Sequence, residues 1–182
     1  MTVTPQEILG FWRAAGPKKW FAKNDAFDAA IRQEFAATHQ AAACGELDAW
    51  RSSAEGALAL VLLTDQFPRN LFRGSAHAFA TDPLARAVAR DAVAAGFDRQ
   101  VPKSLRNFFY LPFQHSEDRT DQARALALAE ALERDTGESP KWARLHADII
   151  ERFGRFPHRN RVLGRVTTPA EQAFLDDGGF AG

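Results

Sequence analysis

The chain has 182 residues, 46% of them apolar and 25% charged. That is enough for one domain burying about 70% of its unfolded surface, and with no linker in view a single domain over 1–182 is expected. Its 23 basic side chains balance 23 acidic ones, against the basic excess of nucleic-acid proteins, and its longest apolar run, Ala57 to Leu63, falls far short of the ~20 residues that span a bilayer.

Cys44 is the lone cysteine, which excludes an internal disulfide and a thiolate metal cage. The start, Met1 to Glu7, lacks the basic and apolar regions of a signal peptide. The expected setting is the cytoplasm.

Thr4-Pro5-Gln6-Glu7 reads as a capping box with proline at the first helical position. The helix it opens carries Ile8, Leu9, Phe11 and Trp12 and stops before Gly16-Pro17. Trp20 and Phe21 follow in the connection. Asn24 or Asp25 opens a second helix with Phe27, Ile31 and Phe35 on its buried face. Gly45 closes it. His39, near that end, is read as a cation complementing the helix dipole.

Ser52 or Ser53 caps a third helix, from Ala54 to about Gln66. Its apolar residues point all round, so it should be central. It is expected to end at Phe67-Pro68, because the residue before a proline avoids the α region. Asp82 caps a helix with Leu84, Val88 and Ala92 inside, closed by Gly96. Pro102 opens a helix that ends in Phe108-Phe109-Tyr110-Leu111-Pro112. Ser116 caps the next, which reaches about Arg134 with Glu117 and Asp118 in its first turn.

From Lys141 to Phe153 the stripe is Trp142, Leu145, Ile149 and Phe153, with His146 and Ile150 beside it. Thr168-Pro169-Ala170-Glu171 is a second capping box, and the tail at Gly178-Gly179 is read as loose. No segment alternates with period two. The expectation is an all-α array of eight or nine helices, paired as antiparallel hairpins around a concave face.

Two segments look alike, Asp65-Gln66-Phe67-Pro68-Arg69-Asn70-Leu71-Phe72-Arg73 and Arg155-Phe156-Pro157-His158-Arg159-Asn160-Arg161. Each puts Arg and Asn just past an apolar helix, flanking the cluster His115-Ser116-Glu117-Asp118. One reading is structural, with Phe under the turn, Asn capping orphan backbone groups, and Glu117 and Asp118 paired with Arg69, Arg73 or Arg159. Asp65 opposes its helix dipole, so Arg69 or Arg73 should compensate it.

The functional reading has Arg69, Arg73, Arg155 and Arg159 converging on an anion, since the guanidinium fork binds carboxylate or phosphate through two hydrogen bonds. His115 beside a carboxylate, Glu117 or Asp118, can serve as a general base near neutral pH, with His158 a further candidate. No spacing matches a metal signature, and no Gly-rich phosphate loop or nucleophile elbow is present. His146 on an apolar face is more often a core residue than a ligand.

Taken in order, Leu-Thr-Asp-Gln-Phe-Pro-Arg-Asn-Leu-Phe-Arg, Ala-Thr-Asp-Pro-Leu-Ala, Phe-Tyr-Leu-Pro-Phe-Gln-His-Ser-Glu-Asp and Phe-Gly-Arg-Phe-Pro-His-Arg-Asn resemble a bacterial family, domain of unknown function 924. The resemblance runs from Ile8 to the Gly-rich end. It implies an all-helical fold similar to tetratricopeptide arrays. The family's polar positions fall on Asp65, Gln66, Arg69, Asn70, Arg73, His115, Ser116, Glu117, Asp118, Arg155, His158, Arg159 and Asn160. Gln114 departs from the pattern, where Glu is frequent.

The expected function is binding, and in one form hydrolysis, of a small anionic ligand. Arg69, Arg73 and Arg159 would hold the anion around His115 and Glu117, with Asp65, Gln66, Asn70, Arg155 and Asn160 as further binding residues. The alternative is a peptide or protein interaction module whose polar cluster is a structural ion network. The expected partner is a small anion or a peptide, with neither nucleic acid nor membrane, and the sequence specifies no cofactor, metal or oligomeric state.

Overall fold

In the computed structural model, Thr4 opens helix α1 (Pro5–Ala15). The Glu7 backbone N–H donates to Thr4 Oγ1 at 3.3 Å and the Thr4 N–H to Glu7 Oε2 at 2.6 Å, so each residue's side-chain oxygen meets the other's orphan N–H. The structure describes residues 3–181, so Met1 and Thr2, part of the start expected to lack a signal peptide, lie outside it.

In chain order there follow α2 (Pro17–Trp20), α3 (Asp25–Ala43), α4 (Ala54–Val61), α5 (Phe67–Leu71), α6 (Asp82–Ala94), α7 (Lys103–Arg106), α8 (Leu111–Gln114), α9 (Arg119–Thr136), α10 (Lys141–Phe153) and α11 (Pro169–Asp176). Setting aside the four-residue turns α2, α7 and α8, the described residues hold eight α-helices, or nine with the π segment between α4 and α5. No described residue lies in a strand, and the fold is all-α as expected.

The chain forms two compact units. Met1–Arg73 with His77–Pro112 make the first, and Gly74–Ala76 with Phe113–Gly182 the second.

In the first unit, α1 packs on α4, α4 on α6, and α3 on α5. Trp12, Ile31, Phe35, Leu58, Leu62, Leu63, Phe67 and Phe108 are essentially sealed from water. Aromatic rings dominate this core. Trp12 meets Phe67 at 5.6 Å and Phe108 at 5.4 Å between centroids, the offset and edge-on spacings that such rings prefer. Asn24 caps α3 by accepting the Phe27 N–H, and Ser53 caps α4 by accepting the Gly56 N–H.

Four sequence expectations change here. The third helix does not end before Pro68. Leu62–Gln66 is a π turn, and Phe67 keeps α geometry (φ −59°, ψ −37°), its N–H reaching back five residues to Leu62 O. Pro68 has no N–H to give the preceding turn, and side chains take over the carbonyls there. Thr81 Oγ1 donates to Thr64 O at 2.6 Å, His39 Nδ1–H to Leu63 O at 2.8 Å, and Arg69 to Asp65 O. That bond changes the role of His39. Buried and lowered in pKa by that burial, which the Leu63 carbonyl only partly offsets, it is a neutral donor and not a helix-end cation.

Asp82 is not a cap either, for Thr81 precedes the helix and Asp82 faces Arg69. The helix expected from Pro102 is broken into α7, a 3-10 turn Asn107–Phe109 and α8. Phe108, Phe109 and Tyr110 are all buried.

In the second unit α9 and α10 pack together across the link at Gly137 and Pro140. Asp118, not Ser116, is the cap of α9, accepting from Thr120 N at 2.7 Å and Asp121 N at 3.1 Å. Ser116 sits two residues earlier, donating to Asp121 Oδ2 and accepting the Asp118 N–H.

The buried face of α10 is Ala143, His146, Ile149 and Ile150, while Trp142 is 53% exposed. His146 is therefore in the centre of that face and not beside it. Ile149, Ile150 and Phe156 form the core, with Leu145, Phe153, Phe174 and Phe180 packed around them. The tail read as loose is folded back, with the Gly179 N–H on Phe174 O at 2.9 Å.

Candidate functional site

The first Phe-Pro segment closes on carboxylates of its own unit. Arg69, at the start of α5, forks onto Asp82 (Nη1–Oδ1 3.0 Å, Nη2–Oδ2 3.1 Å) and stands 3.4 Å from Asp65 Oδ1. Gln66 Nε2 donates to the other Asp65 oxygen at 2.5 Å. Asp65 is fully buried and Asp82 nearly so, a placement that carboxylates accept only with such partners.

One turn later Asn70 and Arg73 converge on Asp28 of α3. Arg73 forks onto both oxygens at 2.8 and 2.9 Å, and Asn70 Nδ2 donates at 2.8 Å. Burial would raise the Asp28 carboxyl, yet these donors and the Arg73 charge hold it below its ordinary value. The segment thus pins α5 to α3 and to the start of α6.

The second Phe-Pro segment does the same with different acids. Arg155 forks onto Glu171 of α11 (Nε–Oε1 2.5 Å, Nη2–Oε2 2.8 Å) and donates to Val166 O. Asn160 Nδ2 and the Thr168 N–H meet the same carboxylate. The Arg155 bond first, and the Thr168 and Asn160 bonds after it, overcome burial and bring Glu171 down to about 2.

Glu117 accepts the Phe156 N–H at 2.8 Å and a fork from Arg165 at 2.7 and 3.1 Å, while Arg165 also donates to Phe156 O. Burial opposes ionisation here too, but Arg165, the Phe156 N–H and the nearby Arg159 charge keep Glu117 below its ordinary range. Glu117 and Asp118 thus have structural duties, one on Arg165 and the second as the α9 cap.

The remaining candidates gather around Phe156 and the His146 beside it. Arg159, buried, lays its guanidinium 4.5 Å from the centroid of the Phe156 ring. His158 lies 5.6 Å and His146 5.4 Å from the same ring, and His115 is 6.3 Å from His146. Phe180 then touches His146 at 4.8 Å and His158 at 5.1 Å.

The turn that carries His115 is locked from α9. Gln122 Nε2 donates to the carbonyls of Ser116 (2.6 Å), Gln114 (2.8 Å) and Phe113 (3.4 Å). The structure therefore brings His115, His158 and Arg159 together and adds His146. Among the described residues no group of three or more His, Cys, Asp or Glu stands where it could hold a metal ion.

Several partners were not legible as such in the sequence. Asp28 reads as an ordinary first-turn acid, Arg165 follows a glycine with no motif around it, and Phe180 belongs to a Gly-rich tail. Glu171 was legible only as half of a capping box. Only their contacts with distant segments mark them.

A family described as "Bacterial protein of unknown function (DUF924)" matches residues 8–179. The solved structure of a protein of unknown function from Agrobacterium tumefaciens is similar, with 51% identity, a TM-score of 0.90, and coverage of 96% of this chain and 97% of that one. No curated protein matches the chain.

Proposed function

Because the chain belongs to this bacterial family of unknown function, we propose from the side chains themselves that the second unit binds a small organic anion at His115, His146, His158 and Arg159. The observation that carries this is the gathering of two imidazoles and a buried guanidinium about Phe156, with a third imidazole, His115, 6.3 Å from His146. An imidazole N–H and an Arg fork are suited to carboxylate or phosphate oxygens, and charge-assisted bonds of this kind strengthen away from water.

The reading differs from the sequence expectation in where the anion sits. Arg69, Arg73, Arg155 and Arg165 hold carboxylates of the protein, so they fix the frame. Hydrolysis would fall to His115 or His158 as proton-transfer groups, with Gln122 orienting His115 through its turn. The reading places the protein in the cytoplasm, in keeping with its lone cysteine. Among the described residues no helix is long and apolar enough to cross a membrane.

Histidine proton resonances followed during titration with inorganic phosphate test this. The signals of His115, His146 and His158 are expected to move together with one dissociation constant, and Arg159→Met to weaken it about tenfold, one lost charge-assisted fork. Signals that stay still at millimolar phosphate would overturn the anion site. The tetratricopeptide-like peptide module would then become the better account of the family fold.

A further inference from the structure

Beside the anion site just proposed lies a slot that the chain itself fills. Helix α11 ends at Asp176, and the Gly178 and Gly179 N–H groups turn back onto the Leu175 and Phe174 carbonyls at 3.2 and 2.9 Å. Gly178 has φ +79°, a left-handed conformation that side chains resist. Gly179 has no room for one, since a Cβ there would stand 2.6 Å from the Phe174 ring and also collide with its carbonyl oxygen.

This glycine pair aims the next residue inward. The Phe180 ring lies at 61° to His146 and 84° to His158, edge-on to both imidazoles, and 6.4 Å from Trp142 on the open side. It also rests on the core of Ile149, Ile150 and Phe156.

The Phe180 slot thus has an apolar floor, two imidazoles along its sides, and a rim formed by a half-exposed tryptophan. A flat ring fits it. The groups that suit an anion, the His146 and His158 imidazoles against Phe180 and Arg159 over Phe156, adjoin it. Phe180 follows the two glycines directly, and rotation beyond the Gly179 N–H moves the ring while the Gly178 and Gly179 N–H bonds that end the helix stay in place.

On the anion reading, we infer that the slot under Phe180 is the ring-binding half of the same site. The ligand is an aromatic ring joined to its anionic group, and it binds by taking the place of Phe180. A site filled by its own chain binds with an affinity reduced by the fraction of molecules in which it is open. Removing the competitor should restore that fraction for ring-bearing ligands and leave small anions unaffected.

The experiment is calorimetric titration of the full chain and of Phe180→Ala with phenyl phosphate and with inorganic phosphate. Phenyl phosphate is expected to bind Phe180→Ala about tenfold more tightly than the parent, an open fraction near one in ten, while inorganic phosphate binds both alike. Gly179→Ala keeps the ring but forces it off its seat. It should shift phenyl phosphate affinity the same way, covering the case in which Phe180→Ala does not fold.

Phosphate binding to both proteins with no gain for phenyl phosphate in either variant would overturn the ring slot and leave the anion site standing. Failure of both probes on every protein would overturn the anion site, and the ring slot with it.

Discussion

At the scale of single residues, the candidate positions divide by what their charges face. Asp28, Glu117 and Glu171 are carboxylates that burial would neutralise and that arginine keeps ionised. Their acid constants are lower in the folded chain than in the unfolded one, so the unfolded state binds protons more readily as pH falls. The stability they contribute is complete above their ordinary range and is lost as pH drops through the folded values. For Glu171 that window runs from its ordinary 4.5 down to about 2.

Thermal melts between pH 6 and 2 should therefore show a steady loss of stability below about pH 4.5. Glu171→Gln should flatten that slope while lowering the melting temperature at pH 7. Its cost should be about 2–3 kcal/mol, less than the 3–5 of a fully buried pair because Arg155 is partly in water. Asp28→Ala strips partners from both Arg73 and Asn70 and should cost about 2 kcal/mol by denaturant titration, again discounted because Arg73 is 41% exposed. A cost near zero for either variant would show that these pairs are not holding the segments.

At the scale of elements, the informative features are interruptions. The π turn Leu62–Gln66 and Pro68 disturb the bonding of the most buried helix, and three side chains from separate parts of the first unit take the carbonyls there. Thr81→Val keeps the shape and removes the side-chain donor to the buried Thr64 carbonyl. It should cost about 1–3 kcal/mol, read from urea unfolding.

Gln122 has the equivalent role in the second unit, with one amide group serving three carbonyls of the Phe113–Ser116 turn. Gln122→Leu should lower stability by about 1–3 kcal/mol and weaken phosphate binding through His115, although Gln122 itself touches no proposed ligand group. Unchanged phosphate affinity in a folded Gln122→Leu protein would remove His115 from the site.

At the scale of the whole molecule, an all-helical chain of zero formal net charge has little electrostatic repulsion to keep copies apart near neutrality. Solubility measured against pH in low salt should have its minimum close to pH 7 and rise on either side. The balance of charge also explains the Arg-rich segments. They read as an anion-binding surface in the sequence, yet most of those arginines are matched internally by acids spread along the chain.

The sequence by itself determined what is decided within a few residues. Thr4, Asn24, Ser53 and Thr168 open helices because a side-chain oxygen two or three residues away is the nearest partner for an orphan N–H. The all-helical class, the family and the central place of Ala57 to Leu63 were equally legible, because periodicity and motif order are properties of the string.

Only the tertiary structure decided which acid each arginine meets. Asp28 and Arg73 are 45 residues apart, Glu117 and Arg165 are 48 apart, and many acids lie as near in sequence. It likewise turned α10 so that His146 and not Trp142 faces inward, and it seated Phe180 on the imidazoles. Those outcomes depend on which surfaces are buried together, and burial is settled by the packing of distant segments that no local pattern records.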